Sequence, residues 1–331
     1  VSTADGFRAF RIHDDDKGYR AGIETMRADQ LSPGEVLVRV AHSSVNYKDA
    51  LAGTGQGKIL RRAPLVGGID VAGHVVASTD PAFREGDAVL CTGSGLSETR
   101  DGGYAEFARL QAATTIALPK GLTLRESMIL GTAGFTAALA LFRMQQNDQS
   151  PDDGPIVVTG ATGGVGMLAI DILTRAGYSV EAISGKPEHA AVLRTLGACV
   201  VHDRHAIDLG TRALEAGRWA GAIDNVGGEM LAGLTRVVQP CGNIASCGMA
   251  GGSALATTVM PFIIRGVSLL GIASAGTARR VRETVWRNLA DAWKPAHLDA
   301  ICTREVGLDA LPGVFPGMLA GGSFGRTLVN L

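Results

Sequence analysis

The chain reads as an α/β protein in which a doubly wound parallel sheet follows a twisted, antiparallel, barrel-like region, and three observations predict it. From about residue 129, apolar strand-like runs alternate with helical segments: Ile156–Thr159, Val180–Ile183, Ala198–Val201, Gly221–Asn225, Gly242–Cys247 and Val267–Ile272. Such a βα rhythm makes a parallel sheet covered on both faces. Before residue 128 the style differs. Short alternating runs, Glu35–Val40, His74–Ala77 and Asp87–Leu90, are bounded by Pro-Gly, Asp-Pro and Glu-Gly-Asp turns, the pattern of a twisted antiparallel domain. Beyond about residue 300, Ile301–Val306 and Thr327–Val329 regain strand character and are expected to rejoin the first domain. The expected division is 1–128 with 298–331, and 129–297.

Composition narrows the class of function. A chain of 331 residues with 46% hydrophobic content can bury a large core. A net charge of -1, with no basic stripe, argues against nucleic acid. The N-terminal residues include Asp5, Arg8 and Arg11 and no apolar core segment, so neither a signal peptide nor a membrane anchor is expected there. The densest apolar stretches, such as Val267–Ile272, are far shorter than the roughly 20 residues a span needs. The five cysteines, Cys91, Cys199, Cys241, Cys247 and Cys302, have no C-x-x-C pairing, which suits a reducing cytoplasm.

The segment Ile156-Val157-Val158-Thr159-Gly160-Ala161-Thr162-Gly163-Gly164-Val165-Gly166 carries the chemistry. An apolar strand breaks into glycines and then opens a helix expected to begin around Val165, run through an amphipathic Met167–Ala176 and stop at Gly177. Glycines let backbone approach a pyrophosphate, and the helix start offers free N–H groups and its dipole. Gly160, Thr162, Gly163, Gly164, Val165 and Gly166 are therefore expected to cradle a dinucleotide. The next strand selects which one. An Asp or Glu at its end would hold a ribose 2′-hydroxyl and repel a 2′-phosphate. This strand ends in Ser184-Gly185-Lys186, while Glu181 lies inside it. NADPH is the expected cofactor, with Ser184 and Lys186 on the 2′-phosphate, and Arg204 after the third strand either stacks on the adenine or reaches that phosphate. By the same topology Asn225-Val226-Gly227 and Cys247-Gly248-Met249-Ala250 are expected to line the nicotinamide half, with Thr132, Gly134 and Thr136 approaching from a preceding helix.

Taken together, the N-terminal barrel-like region, Gly131-Thr132-Ala133-Gly134-Phe135-Thr136-Ala137 and Asp224-Asn225-Val226-Gly227-Gly228 resemble the medium-chain dehydrogenase/reductase superfamily over essentially the whole chain. Within it, Ser43-Ser44-Val45-Asn46-Tyr47-Lys48-Asp49-Ala50, Gly55–Ile59 and Pro64–Gly73 are similar to the zinc-independent branch of NADPH-dependent acrylyl-CoA reductases, a branch also labelled quinone oxidoreductase. The resemblance implies a GroES-like N-terminal domain and a Rossmann cofactor domain. It also implies a homodimer paired through the Val267–Leu270 edge, and a final cofactor-contacting turn at Phe324-Gly325-Arg326. Arg326 would then meet a phosphate or support the domain junction. One departure stands out: family members have Asp-Ser after the Gly-Ile of the sixth strand, and this chain reads Gly271-Ile272-Ala273-Ser274-Ala275.

Zinc members of the superfamily use a Cys, a Gly-His-Glu motif and four spaced cysteines. Here Gly68-Ile69-Asp70 has no imidazole and Cys91 stands alone in its loop, so no four-coordinate site is expected. His42 and His74 read as structural histidines. A reaction needing only a placed hydride and a proton fits better: reduction of an activated carbon–carbon double bond. The polar groups expected at the reacting centre are Asn46, Tyr47 and Asp49. The Tyr47 hydroxyl could give the proton or hold the cofactor ribose, and the Asn46 amide could donate to the carbonyl or orient the cofactor. Asp49 would orient its neighbours; alternatively, Asn46 and Asp49 cap a helix that begins near Tyr47. Lys58, Arg61 and Arg62 form a basic cluster that could meet the phosphates of an acyl-CoA, with a solvated loop as the alternative. Three functions stay open: an acrylyl-CoA reductase, a quinone or free-alkenal reductase, and a non-catalytic NADPH-binding sensor or structural protein.

Overall fold

A computed structural model of the chain describes residues 6–331; Asp5, named above, lies outside the described residues. In chain order the strands are β1 (Phe7–Asp15), β2 (Gly18–Met26), β3 (Val36–Val45), β4 (Leu65–Val66), β5 (Asp70–Ser78), β6 (Ala88–Thr92), β7 (Phe107–Leu110) and β8 (Ile116–Ala117). Next come β9 (Ile156–Thr159), β10 (Val180–Ser184), β11 (Ala198–Asp203), β12 (Trp219–Asp224), β13 (Val238–Ser246) and β14 (Ser268–Gly271), then β15 (Cys302–Val306) and β16 (Arg326–Asn330). The helices are α1 (Tyr47–Thr54), α2 (Leu124–Gln145), α3 (Gly164–Arg175), α4 (Ala190–Thr195), α5 (Gly228–Val237), α6 (Met260–Arg265), α7 (Arg279–Ala290), α8 (Leu298–Ile301) and α9 (Leu311–Leu319).

The described residues divide into two units, one of residues 6–132, 275–284 and 302–331 and one of 133–274 and 285–301. Compared with the division expected from sequence, the first unit gives up 298–301 to the second and takes 129–132 and 275–284. The last of these segments is tied in by Arg282, whose buried guanidinium donates to the carbonyl and hydroxyl of Thr92 at 3.0 Å.

The first unit holds a three-stranded sheet, β2-β1-β4, and a seven-stranded one, β15-β16-β3-β5-β6-β8 with β7 on β3. The C-terminal β16 pairs antiparallel with β3, Thr327 opposite Val45, so the end of the chain closes the sheet that carries Ser44 and Asn46 at its rim. Between the sheets Phe7, Phe10, Tyr104, Phe107 and Phe315 form a buried aromatic cluster. Each such side chain contributes on the order of 2 kcal/mol of burial.

The second unit is a six-stranded parallel sheet in the order β11-β10-β9-β12-β13-β14. The order reverses between β9 and β12, and ligands of such sheets bind outside the carboxyl ends of the strands at that switch. Ile156, Val157 and Val158 are fully buried, as a central strand covered on both faces requires. The helix after the glycine turn departs from the amphipathic expectation. From Gly166 to Leu173 every residue of α3 is buried, Asp171 included, and that carboxylate is satisfied by the Ala296 and His297 N–H groups at 3.1 and 2.9 Å.

A second correction concerns length. α2 is long and apolar enough by composition to cross a membrane, contrary to the reading of the densest runs, but 83% of its apolar window is buried inside the protein, as in a core helix. It is broken at Gly131, whose φ of 50° leaves the helical region.

Candidate functional site

Two constellations can be built, one in each unit. In the second unit, β9 ends at Thr159 and Gly160 follows at φ +58°, a conformation that glycine adopts without strain. Gly163 caps α3 and supplies no side-chain cap. The first helical N–H to close on the turn is that of Met167, which donates to the Gly163 carbonyl at 2.9 Å, so those of Gly164, Val165 and Gly166 precede the helical ladder. A Cβ on Gly166 would sit 2.7 Å from the Ala161 Cα and closer still to the Gly160 carbonyl. The turn is therefore packed from within by glycine, and its leading N–H groups carry no side-chain cap, which fits a pyrophosphate. Thr162 is buried beside it.

The turn is braced across the switch in strand order. Thr159 Oγ1 donates to Asp224 Oδ1 at 2.6 Å and accepts the Asn225 N–H at 3.0 Å, while Asn225 Nδ2 donates to the Thr159 carbonyl at 2.8 Å. Asn225 Oδ1 is buried and has no hydrogen-bond partner among the described residues. Asp224 also accepts the Gly227 N–H at 2.8 Å, and burial pushes its carboxyl above the ordinary range. The loop after β13 is joined to the same place: Cys247 N–H donates to Asp224 O, and Gly251 N–H to Val226 O, which leaves Gly248 against the Asn225 backbone and Ala250 exposed. At the end of β10, Ser184 is buried and its Oγ accepts the Lys186 N–H at 3.0 Å, so its hydroxyl braces the turn there. Arg204 lies over Gly185. Glu181 faces away from the strand end and accepts from His202 Nε2 and Trp219 Nε1. Thr136 is buried on α2.

In the first unit the expected trio separates into one exposed and two buried groups. Tyr47, the first residue of α1, is 54% exposed, and its hydroxyl has no hydrogen-bond partner among the described residues. Asn46 is the helix cap and is turned inward, a correction to its expected role as a carbonyl donor. Its Nδ2 donates to Asp49 Oδ2 and Asp70 Oδ2 at 3.1 and 2.7 Å, and its Oδ1 accepts from Arg326, so the amide has no donor left for a substrate carbonyl. Asp49 is also spent: it accepts the N–H groups of Asn46 and Ile69, both at 2.9 Å. Burial first and Asp70 second push its carboxyl up to about 7. Asn46 and Asp49 form a capping box at the start of α1, as the capping alternative expects.

Asp70, which the sequence reading passed over except as a missing metal ligand, is the hub. It is fully buried and accepts from Ser44 Oγ at 2.6 Å, Asn46 Nδ2, and the Thr132 N–H and Oγ1. The Thr132 N–H and hydroxyl both donate to Asp70, whose carboxylate thereby caps the second half of α2 across the break at Gly131. Of the two roles expected of Arg326, a phosphate contact or structural support, its contacts match the second. It is buried, donates to the carbonyls of Ile129 and Val45, to Asn46 Oδ1 and to Ser44 Oγ, and stands 3.9 Å from Asp70, so it is the internal counter-charge of the first unit and no phosphate ligand. Phe324 is half-buried and its carbonyl accepts from Thr303. Of the basic cluster, Lys58 and Arg61 are exposed, whereas Arg62 donates to Ser32 Oγ at 2.6 Å.

A sequence signal for the hubs exists in hindsight. Asp70 and Asp224 are carboxylates at the ends of otherwise apolar strand sequence, and a buried acid is retained only where donors converge on it.

Two families match the chain: the Alcohol dehydrogenase GroES-like domain over residues 32–120 and the Zinc-binding dehydrogenase over residues 164–291. The metal in the second name does not fit this chain: Asp70 accepts from four donors beside the Arg326 cation, and no group of three or more His, Cys, Asp or Glu that could hold a metal occurs among the described residues. "Putative quinone oxidoreductase YhfP" of Bacillus subtilis is 44% identical over 98% of this chain and 99% of its own length. "Probable acrylyl-CoA reductase AcuI" of Escherichia coli is 42% identical, and "Acrylyl-CoA reductase AcuI" of Ruegeria pomeroyi 39%, each over 98% of this chain and 99% of its own. The yhdH oxidoreductase of Salmonella enterica, crystallised with NADP, superposes with a TM-score of 0.94 at 42% identity, covering 98% of this chain and 99% of that one. Bacillus subtilis yhfP, crystallised with NAD, does so at 0.94 and 43%, with the same coverage. The chain belongs to the medium-chain dehydrogenase/reductase family, with a GroES-like domain and a Rossmann-like parallel sheet.

Proposed function

We propose that this chain reduces the carbon–carbon double bond of acrylyl-CoA, a short 2-enoyl thioester, to propanoyl-CoA at the expense of NADPH. The observation that carries the reading is the near-full-length match to two proteins named as acrylyl-CoA reductases. The glycine turn at Gly160–Gly166, the basic Lys186 after β10 and Arg204 after β11, and the withdrawal of Glu181 support the cofactor.

Bound NADPH supplies a hydride to the β-carbon of the substrate. The electron pair of the former double bond then rests on the α-carbon and thioester oxygen as an enolate, and one proton at the α-carbon completes the two-electron reduction. Tyr47 is the group proposed to give that proton, and its exposure lets water restore it. Asn46 and Asp49 are positioning residues that fix the first turn of α1, and with it the Tyr47 backbone. Gly164, Val165 and Gly166 offer N–H groups to the pyrophosphate, and Asn225, Gly248 and Ala250 are proposed to line the nicotinamide half. Lys58 and Arg61 are proposed to meet the phosphates of the carrier, without Arg62.

A quinone or alkenal reductase is the second reading, favoured by the Bacillus subtilis relative. A homodimer through the edge strand β14 fits both. Leu269 on that edge and Val259, Ile263 and Ile264 on or beside α6 are exposed apolar side chains, the last three between 59 and 75%. The five unpaired cysteines fit a reducing cytoplasm.

Initial rates of NADPH consumption with acrylyl-CoA, crotonyl-CoA, free acrylate and a benzoquinone, with NADH as control, test the reading. Turnover confined to the thioesters with NADPH is expected; quinone turnover without thioester activity rejects the substrate.

A further inference from the structure

We propose that Gly185 and His205 set the preference for a 2′-phosphorylated dinucleotide, by holding Arg204 flat over the end of β10 with the outer edge of its guanidinium toward the phosphate. The inference rests on the cofactor reading above and deepens it, because that reading names Arg204 without saying what aims it or whether it meets adenine or phosphate.

The register of the sheet brings the pieces together. Ser184 pairs with Asp203 across β10 and β11, and the Arg204 N–H donates to the Ser184 carbonyl at 2.9 Å, so residues 185–186 and 204–205 leave the sheet side by side. The Arg204 side chain then folds back over Gly185: a Cβ at that position would stand 2.8 Å from Arg204 Cδ and 2.9 Å from its Cζ. Only a residue without a side chain leaves that surface free. Arg204 Nε donates to His205 Nε2 at 3.1 Å, which fixes the rotation of the guanidinium about its long axis. Its two terminal nitrogens have no hydrogen bond among the described residues, and the side chain is exposed. A guanidinium held through Nε presents a planar pair of donors, the geometry that takes two phosphate oxygens at once.

The surrounding charges agree. Asp203 is turned to the backbone, accepting the His205 N–H at 2.9 Å. Glu181 is withdrawn onto His202 and Trp219, and Lys186 adds a second cation. Gly185 does not occupy the left-handed region, and the atoms a Cβ would displace belong to an exposed, flexible side chain. Gly185→Ala should therefore move Arg204 and leave the fold in place.

Calorimetric titration of the full chain with NADPH and NADH, for the wild type, Gly185→Ala, Arg204→Ala and the double variant, tests the proposal. The wild type should bind NADPH the more tightly. Each single variant should lose about tenfold or more in NADPH affinity and change NADH affinity by less than about twofold, since a charge-assisted contact is lost from one cofactor only. The double variant should be no weaker than Arg204→Ala, because Gly185 acts through that side chain. His205→Gln, which keeps an acceptor for Nε, should stay nearer the wild type than His205→Ala. An unchanged NADPH affinity in Gly185→Ala, an equal loss for both cofactors, as adenine stacking would give, or additive losses in the double variant overturns the proposal. Should Gly185→Ala fold poorly, an unchanged cofactor ratio in Arg204→Ala is enough to reject it. A wild type that binds neither cofactor, or prefers NADH, rejects the cofactor reading itself.

Discussion

Two helix starts in this chain are built in opposite ways. At α1 the cap residue Asn46 has its own N–H and its amide accepted by Asp49, while the same amide is clamped between Asp70 and Arg326. At α3 the cap is Gly163, there is no side-chain cap, and glycines 160, 163 and 166 keep the approach free of side chains. Both places are rich in hydrogen-bonding groups, yet only the second leaves donors for something outside the protein. Where the chain satisfies its own polar groups, the residues are architecture that positions a neighbour, here Tyr47. Where it leaves backbone donors facing outward behind a glycine surface, the place suits an anion.

The comparison breaks first at Arg326. Arg326→Ala should cost about 3–5 kcal/mol in urea unfolding, because it leaves the buried Asp70 without its counter-charge. A stable variant with lowered NADPH affinity would restore the phosphate-ligand reading and blur the contrast. The next largest effect is on chemistry. Tyr47→Phe should lower kcat with acrylyl-CoA about a hundredfold while NADPH affinity stays within about twofold, since the exposed hydroxyl supports no other group; stopped-flow and equilibrium binding read the two separately. Gly166→Ala should cost about 1–3 kcal/mol and weaken NADP binding, because its Cβ meets backbone rather than a mobile side chain. Unchanged binding would show that the turn is not the receiving surface.

A smaller effect sharpens the closed side of the contrast. Asp49 titrates near 3.8 when exposed and is pushed up to about 7 in the fold. Between those values the folded chain holds a proton that the unfolded chain has lost, so this group makes stability fall as pH rises from about 4 to about 7 and contributes no further slope above. Asp49→Asn should flatten that part of the Tm–pH curve, and a parallel curve would contradict the assignment. The smallest effect belongs to the carrier: Lys58→Ala with Arg61→Ala should raise KM for acrylyl-CoA a few-fold at low salt, and less at high salt. No change in either would leave the two side chains as a solvated loop.

Much of the fold was legible. An apolar run ending in glycine located β9 and the turn to within a residue, and the βα rhythm gave all six strands of the parallel sheet, because local pattern and burial coincide there. The hairpin of β1 and β2 was not named, although its nine-residue strands pair from Phe7–Met26 to Asp15–Gly18, since no Pro-Gly boundary announces it. At the candidate site, the glycine turn between β9 and α3 was readable from local residues. The fates of Asn46, Thr132 and Arg326 were not. They are decided by Asp70 and by partners up to 282 residues away, and the sequence offers no sign of which donors will converge on a buried acid. Polar residues near a motif look alike on paper whether they face a ligand or the core.

The most direct test is amide hydrogen exchange with and without saturating NADPH. The account predicts that the amides of Gly164, Val165 and Gly166 gain protection on binding, while those of Asn46 and Asp49, already bonded within the chain, change little. Protection appearing at residues 46–49 with none at 164–166 would contradict it.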